Sequence, residues 1–314
     1  MSPEIQNKLT EFSKHIVAHG YYKDAVDQIL KSIHTTAARR EPASTLLTGP
    51  SGVGKSTVCK YVMQKIGAKQ EIETEWGIVQ TVPAFYCGLP AGTTLKSLTI
   101  SMLAQLGCDQ LNGDATTLLY RLMTLLKTCK TQVILLDEFD HLLAKGAEKT
   151  KILVCNWVKT LMNETLIPVV LAGMPECQSI VDEHPQLARR YPFRANLRPL
   201  EFASNDSQSD YLKTLKSFGA QINRIGAFSD SIYLTDQTIS ARIYAATGGN
   251  MNSLRQLLHE AFSLALTRNI GVFSEQDLVN SYGCQILEGS LIKHGNPFTM
   301  APQEIRSIIS RSVR

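Results

Sequence analysis

Short apolar segments alternate with amphipathic segments through the first two thirds of the chain. Each apolar segment has the length of a strand and ends at a turn residue or an acidic pair, and helical patterns separate one from the next. This alternation predicts an α/β fold, a parallel sheet with flanking crossover helices. The expected strands are Ser44–Thr48, Gly77–Tyr86, Gln132–Asp137 and Ile167–Gly173, with one more short candidate at Asn196–Leu200.

The two ends of the chain carry helical patterns and little strand signal. At the start, two helices are expected, Glu4–Ala18 and Tyr22–Thr35, broken at Gly20. After the last strand, several helical patterns predict a small C-terminal helical lid, and the polar tail that follows is expected to be an arm outside the core. The expected segments are an N-terminal helical segment at 1–40, an α/β nucleotide-binding core at 41–203, a lid at 204–288 and an arm at 289–314.

Composition is that of an ordinary globular protein. The chain has 314 residues, of which 44% are apolar and 19% charged, and its net charge of +4 neither requires nor excludes a nucleic-acid partner. Seven cysteines without C-x-x-C spacing indicate reduced thiols rather than disulfides or a zinc site. No signal-peptide pattern opens the sequence, and no apolar run approaches the ~20 residues that span a bilayer. We expect a cytoplasmic protein without membrane contact.

The segment Gly49–Ser56 matches the pattern G-x-x-x-x-G-K-[ST] in full. In such a P-loop, backbone N–H groups turn toward phosphate oxygens, the lysine reaches the β- and γ-phosphates, and the hydroxyl binds Mg²⁺. The segment lies between an expected strand and an expected helix, Lys55–Ile66, whose N-terminus adds partial positive charge. The alternative is an ordinary glycine-rich turn. The expected ATP-binding residues of this segment are Gly49, Pro50, Ser51, Gly52, Val53, Gly54, Lys55, Ser56 and Thr57.

An acidic pair, Asp137 and Glu138, follows the apolar run Val133–Leu136, which fits a strand buried on both faces. We expect Asp137 to hold Mg²⁺ together with Ser56, and Glu138 to orient or deprotonate the water that attacks the γ-phosphate. Alone, this pattern is more often a strand that meets its loop. Downstream of a P-loop it becomes specific, and the two motifs support each other as an ATPase site.

Three arginines are candidates for completing that site. Arg189 and Arg190 precede the last strand candidate, where an arginine can project into the nucleotide site of a neighbouring subunit and stabilise charge on the γ-phosphate. The alternative is a solvated basic turn, and the sequence does not choose between the two residues. Arg255 lies on an expected lid helix, where it either senses the γ-phosphate or is a surface arginine.

Contacts with duplex DNA have weaker support in the sequence. Hydroxyls and lysines at helix starts suit contacts to phosphates that ignore base identity, although isolated lysines are normally solvated. Aromatic residues could stack on bases, but core packing is the better interpretation of them. The candidate DNA contacts are Thr94, Lys96, Lys145, Lys149 and Lys151, and the aromatic residues are Trp76, Tyr86 and Trp157.

Four segments together resemble the TniB/TnsC group of AAA+ transposition regulators, over about residues 10 to 285. The first segment is an acidic strand end followed by histidine and leucines, and the second is a helix that ends in Leu-x-Asn-Glu. A Gly-x-x-Glu turn and a Leu-Ala-Arg-Arg-Tyr-Pro-Phe sequence follow in this order. They are Leu135–Leu143, Trp157–Glu164, Ile167–Glu176 and Gln186–Phe193.

The resemblance implies an AAA+ P-loop ATPase that serves a transposase without catalysing transposition. Proteins of this group use ATP and Mg²⁺ to assemble as rings or helical filaments on duplex DNA, without sequence preference. They connect a TniQ/TnsD-type targeting factor to the transposase, and hydrolysis disassembles them. It further implies that Lys96 and the Lys149/Lys151 region face the DNA backbone, that the 289–314 arm contacts a partner, and that the source is bacterial.

Met174 departs from the pattern of that group. Relatives usually place a Thr, Ser or Asn after this strand, where a polar side chain helps to position the attacking water, and methionine cannot donate a hydrogen bond. Either Asn163 or another group substitutes for it, or hydrolysis is slow, as suits a regulatory timer.

Two other functions fit the same motifs. A clamp-loader, replication-initiator or helicase-loader ATPase has a similar core, but no winged-helix pattern follows the lid. A nucleotide-gated signalling switch without DNA usually carries long repeat or effector domains, which are not apparent here. DNA-dependent assembly in the triphosphate state distinguishes the transposition regulator from both.

Overall fold

A computed structural model of the chain describes residues 2–75, 77–90, 92–143, 148–203, 206 and 208–312. In the described residues the helices are α1 (Pro3–Ser13), α2 (Gly20–Arg39), α3 (Lys55–Ile66), α4 (Leu95–Gln105), α5 (Ala115–Thr128), α6 (Glu148–Thr165), α7 (Cys177–Asp182), α8 (Pro185–Ala188), α9 (Asp210–Gly226), α10 (Gln237–Thr247), α11 (Met251–Arg268), α12 (Glu275–Gly283) and α13 (Pro302–Ser312). The strands are β1 (Thr45–Thr48), β2 (Gln70–Thr74), β3 (Gly77–Thr81), β4 (Ala84–Gly88), β5 (Val133–Asp137), β6 (Val169–Gly173), β7 (Phe193–Asn196), β8 (Asp230–Ser231) and β9 (Val272–Phe273).

The chain divides into two compact units. Residues 21–197 form one, here called the α/β unit, and residues 1–20 with 198–314 form the other, here called the helical unit. This division differs from the four segments expected from the sequence. The expected N-terminal segment is split, because α1 packs with the C-terminal helices whereas α2 packs against the sheet.

The α/β unit is built on a five-stranded parallel sheet in the order β4-β5-β6-β1-β7. Its inner strands β1, β5 and β6 are buried at every position, which requires cover on both faces. Alternate residues of each strand point to opposite faces of the sheet and belong to different apolar clusters. Leu136 and its same-face neighbours pack with α4, α5 and α6, whereas Leu135 and its neighbours pack with α2 and α3. The expected parallel sheet with helices on both faces is therefore present.

Three of the predicted strands begin one or two residues late, at Thr45, Val133 and Val169, and the other two differ more. The expected strand Gly77–Tyr86 is two strands, because Pro83 offers no N–H to a ladder. Before it, β3 pairs with β2 in an antiparallel hairpin, and after it, β4 joins the central sheet. The last strand is Phe193–Asn196 rather than Asn196–Leu200, because its partner β1 ends at Thr48, which lies opposite Asn196.

The helical unit has an apolar core that includes both ends of the chain. Phe12 of α1 packs against Phe218 of α9 and Phe262 of α11, with ring centroids 5.8 and 5.4 Å apart. The sequence predicted an arm outside the core at residues 289–314, whereas the described residues 289–312 contribute side chains to this core. Pro302 opens α13, and helical spacing places Ile305 and Ile309 on one buried face. None of the helices in the described part of the chain has the length and apolar character to cross a membrane.

Candidate nucleotide site

The loop between β1 and α3 has a backbone that only glycine adopts easily. Gly52 and Gly54 have φ of 76° and 101°, in the left-handed region. A Cβ on Gly49 would lie 2.4 Å from the carbonyl oxygen of Leu197, so a side chain there has no room. The Gly49 N–H donates to the carbonyl of Gly173 at 3.2 Å, which ties the start of the loop to the end of β6. The loop is thus a glycine-lined cradle at the N-terminus of α3 and fits a phosphate group.

Lys55 places its ammonium group over this cradle. Its Nζ donates hydrogen bonds to the carbonyl oxygens of Gly49 and Pro50, at 2.7 and 2.9 Å. Burial lowers the pKa of Lys55, and the carboxylates of Asp140 and Asp137 oppose that shift. The positive charge is therefore held inside the curve of the loop, where phosphate oxygens would replace the two carbonyls as its partners.

Asp137, which is 2% exposed, ends β5 as a fully hydrogen-bonded carboxylate. Its Oδ2 accepts from the Ser56 hydroxyl at 2.5 Å and from the Tyr86 hydroxyl at 2.8 Å, and its Oδ1 accepts from the Glu138 N–H at 2.9 Å. Burial raises the pKa of Tyr86, and the hydrogen bond to Asp137 raises it further, so the phenol remains a donor. A hydroxyl beside a carboxylate is an oxygen donor set that suits Mg²⁺, so Ser56 and Asp137 fit the ion expected there.

Glu138 adopts a backbone conformation that is unusual for its residue type. Its φ of 61° lies in the left-handed region, which costs a non-glycine residue roughly 1–3 kcal/mol. The side chain is 59% exposed, and its Oε2 is 3.8 Å from Nδ1 of His141. The strained backbone turns the carboxylate out of the sheet edge into solvent, beside the buried Asp137. A water molecule can therefore reach the carboxylate, and the role of Glu138 as the water-activating group stays a prediction.

Asp140 is the polar group beside Met174. Its Oδ1 accepts a hydrogen bond from the Met174 N–H at 3.2 Å, and it acts electrostatically on Lys55. Asn163, the substitute considered from the sequence, is exposed on α6. Neighbouring Cys177 packs against Gly173, and burial raises the pKa of its thiol to about 12, so it is not a thiolate. Of these groups, Asp140 is the charged one next to position 174, where the resemblance predicts a polar side chain.

The sequence predicted no role in the nucleotide site for three residues: Tyr86, Asp140 and His141. Tyr86 was interpreted as core, and its role depends on the register that pairs it with Leu135 across β4 and β5. Asp140 and His141 lie in a 3₁₀ turn, Phe139–Leu143, directly after the acidic pair. The available signal was their place at the carboxyl end of a buried strand, where the loops of parallel sheets carry function.

A comparison with known protein families shows to which family the chain belongs. The profile of a family described as bacterial TniB protein matches residues 13–198, which is more than half of the chain. The chain belongs to the TniB family. No curated protein compared with the chain matches it.

Solved structures show the fold of this TniB-family chain. The ORC2 protein of Aeropyrum pernix, solved as ADPNP–ADP complexes, is 14% identical with a TM-score of 0.57, and the match covers 86% of this chain and 68% of that one. Cdc6p of Pyrobaculum aerophilum is 12% identical with a TM-score of 0.60, covering 88% and 71%. The Aeropyrum pernix ORC1 protein, solved with DNA, is 13% identical with a TM-score of 0.56, covering 85% and 65%. The fold is that of the AAA+ P-loop ATPases.

The two arginines that precede β7 differ in their surroundings within the TniB-family chain. Arg190 forms an ion pair with Glu41, with Nη1 and Oε1 2.7 Å apart. Arg189 caps the C-terminal end of α8, is exposed, and has no ion pair with any residue that the structure describes. Arg190 is therefore engaged inside its own subunit, whereas Arg189 is available to a neighbour. The role of either as an arginine finger stays a prediction.

Arg255 lies on α11 of the helical unit. Its guanidinium donates to the backbone carbonyl of His15 at 2.9 Å and to that of Ser13, at the end of α1. Burial lowers the pKa of Arg255, and burial together with the charges of Arg255 and Arg224 lowers the pKa of His15. In this structure Arg255 holds α1 to α11. Its contact with the γ-phosphate stays a prediction.

The structure describes most of the residues that the sequence predicts to contact DNA. Thr94 is the N-cap of α4 in a capping box with Ser97, and Lys96 is exposed in the first turn of that helix. Lys151 is partly exposed on α6, and Lys149 belongs to the same helix. Lys145 and Trp76 lie outside the described residues. Trp157 is buried in the apolar core, in agreement with the preferred interpretation. The structure thus brings together the P-loop and carboxylate residues of the predicted site, while the arginines and lysines lie on other elements.

Proposed function

We propose that the chain is an ATP-dependent DNA-binding regulator of transposition that acts in the bacterial cytoplasm. It oligomerises on duplex DNA without sequence preference, connects a TniQ/TnsD-type targeting factor to the transposase, and disassembles after slow hydrolysis of ATP. The observation that carries the proposal is the P-loop and Ser56–Asp137 cluster in a chain of the TniB family. Solved structures with the same fold carry nucleotide or DNA, which supports both ligands.

In this proposal, each residue of the site has its own role in ATP binding or hydrolysis. Lys55 and the N–H groups of the loop bind the phosphates, and Asp137 with Ser56 holds Mg²⁺, which supplies positive charge to the phosphate oxygens when bound. Tyr86 keeps the Asp137 carboxylate oriented through its hydrogen bond. Glu138 orients and deprotonates the attacking water, and Asp140 holds the backbone at Met174 in place.

Assembly depends on nucleotide in this proposal because the site is completed by the next subunit. Of the two arginines that precede β7, Arg189 is the exposed one and Arg190 is paired with Glu41, so Arg189 is the better candidate for that contribution. A ligand that contacts both subunits stabilises the joint by mass action. Hydrolysis removes the γ-phosphate, and with it the contacts that held the subunits together.

A clamp-loader, initiator or helicase-loader ATPase has the same fold, and the solved structures named above are ORC and Cdc6 proteins. Identities of 12% to 14% with those structures carry the fold and no activity. The family match favours the transposition regulator.

Electron microscopy of the purified protein with duplex DNA tests the proposal. Samples with ATP, with a non-hydrolysable analogue and with ADP are compared, each with and without DNA. Rings or filaments on DNA that require the triphosphate state are expected. Monomers in every sample, with no DNA retained at moderate salt, would reject the regulator and favour a nucleotide switch without DNA.

A further inference from the structure

The end of helix α1 is joined to helix α9 by a polar network around the ring of His15. The ring nitrogen Nε2 lies 2.9 Å from the hydroxyl oxygen of Ser217, and Nδ1 lies 3.1 Å from the amide nitrogen of Gln221. The ring also packs edge-on against Phe218, with centroids 5.6 Å apart. All of these residues belong to the helical unit. Both nitrogens of His15 are therefore engaged by one neighbouring helix.

The partners of Gln221 determine the protonation of His15. A guanidinium only donates, and Nε of Arg224 lies 2.7 Å from Oε1 of Gln221, so this oxygen accepts and the amide nitrogen faces His15. Because an amide nitrogen only donates, Nδ1 of His15 accepts and carries no proton. The single ring proton is then on Nε2, which donates to Ser217. The network therefore requires a neutral imidazole with its proton on Nε2.

Two arginines act on this neutral ring. Arg255 of α11 donates to the backbone carbonyl of His15 at 2.9 Å and to that of Ser13. Its guanidinium thus occupies the carbonyl end of α1, where the helix dipole would otherwise favour a charged histidine. Burial lowers the pKa of His15, and the charges of Arg255 and Arg224 lower it further. A second proton on the ring is therefore disfavoured as long as α1 stays in place.

The other charged or titratable groups around the end of α1 do not offset these arginines. They are Glu11, Lys14, Asp210, His259 and Glu260. Glu11 is paired with Arg224, with Oε1 and Nη2 2.6 Å apart, and Asp210 accepts from the Gly20 N–H at 2.7 Å. The charge of Glu260 acts on His259, and Lys14 adds positive charge. In the described part of the chain, no carboxylate forms an ion pair with His15.

We infer that His15 is a latch that holds the end of α1 on α9 while its ring is neutral and releases it when the ring is protonated. A proton on Nδ1 turns an acceptor into a donor that faces the donating amide of Gln221, and it adds a cation beside Arg255 and Arg224. The end of α1 then leaves α9, and Arg255 loses its two carbonyl acceptors. The contribution of the latch is complete above about pH 6.5, the ordinary pKa of histidine in an unfolded chain, and is lost as the pH falls through the lowered pKa of the folded state. The latch does not depend on the proposed function.

Hydrogen exchange of the full chain at about pH 7.5 and about pH 5.5 tests the latch, after correction for the intrinsic effect of pH on exchange. In wild type, the peptide that covers α1 should open roughly tenfold more at the lower pH, as expected when a buried donor loses its acceptor. The peptide that covers α12 should not change, because this helix has no residue in the network. Equal opening of both helices at the lower pH, or no added opening of α1, would overturn the inference.

Gln221→Glu and His15→Gln should both abolish the response of α1 to pH. Gln221→Glu places a carboxylate opposite Nδ1, which accepts the added proton, and His15→Gln leaves no ring to titrate. His34→Gln is the matched control, since His34 is exposed on α2 and the variant should keep the wild-type response. His259→Gln should keep it as well. A wild-type response in Gln221→Glu, or its loss in His259→Gln, would assign the response to another group and reject the latch.

Nitrogen NMR of the wild-type ring provides a readout that needs no variant. At about pH 7.5, the chemical shifts of the two ring nitrogens should show a proton on Nε2 and none on Nδ1, because protonated and unprotonated ring nitrogens differ in shift. The signals are assigned through their bonds to the backbone of His15. A proton on Nδ1 at this pH would contradict the network and overturn the inference, even if the variants fold poorly.

Discussion

At the scale of single residues, the site is organised around the carboxylate of Asp137. A buried charge is costly unless hydrogen bonds compensate it. Ser56 and Tyr86 donate to one oxygen and the backbone N–H of Glu138 donates to the other. The carboxylate is therefore held in one orientation before any ligand arrives, and the residue that follows it is held in a left-handed backbone conformation.

Lys55→Ala and Glu138→Gln should separate nucleotide binding from hydrolysis. Lys55→Ala removes the ammonium group from the loop, so binding of a fluorescent ATP analogue and nucleotide-dependent assembly on DNA should both be lost. Glu138→Gln keeps the shape but removes the base, so assembly should persist while hydrolysis falls roughly a hundredfold or more. Fluorescence titration, sedimentation with DNA and phosphate release measure the three quantities. Equal loss of assembly in both variants would contradict the scheme.

Tyr86→Phe should destabilise the nucleotide-free protein by about 1–2 kcal/mol, because Asp137 loses one of its donors while Ser56 remains. Tyr120→Phe is the matched control, since the side chain of Tyr120 is 71% exposed and should change stability by less than about 0.5 kcal/mol. Urea unfolding followed by circular dichroism measures both. If the two variants unfold at the same urea concentration as wild type, the hydrogen bond to Asp137 is not stabilising.

At the scale of the elements, the sequence predicted features that depend on local pattern better than features that depend on strand pairing. Helix α3 has the predicted bounds, and β5 begins one residue late, because apolar runs and turn residues are local signals. The split of Gly77–Tyr86 had a local signal in Pro83, which the predicted bounds did not use. The shift of the last strand, in contrast, depends on a partner strand that is distant in sequence. The same limit applies to the site. The P-loop and acidic pair were predicted from motifs, whereas Tyr86 required the register of β4 on β5.

Substitutions in helix α13 can test whether the C-terminal residues belong to the core. Ile305 is 1% exposed, so Ile305→Ala should destabilise the protein by about 2–5 kcal/mol through lost burial and the cavity left behind. Ile286→Ala removes the same atoms from a side chain that is 100% exposed, and should be nearly neutral. Thermal unfolding by calorimetry compares the two. Similar melting temperatures for both variants would show that the tail is an arm after all.

At the scale of the whole molecule, the proposed assembly makes the two arginines before β7 unequal. Arg189→Ala should leave the monomer as stable as wild type but lower hydrolysis in the assembled state by roughly a hundredfold or more, because the exposed arginine would serve the neighbouring site. Arg190→Ala should instead remove the ion pair with Glu41 and change that rate little. Mixing each variant with Lys55→Ala subunits and measuring phosphate release identifies the subunit that supplies the arginine. The reverse order of effects would assign the finger to Arg190.

The left-handed backbone at Glu138 has a consequence for how such a protein evolves. Glycine adopts that conformation without strain, and glutamate becomes glycine by one base change in its codon. A single base change therefore gives Glu138→Gly subunits, which have no strain at this position. Under the proposed function they would bind ATP through an intact P-loop but would lack the base. In a mixed population these subunits would enter every assembly and delay its removal, so a few copies would impair the products of the intact gene. Under the proposed function, glycine at this position would therefore be selected against, even though it would relax the backbone.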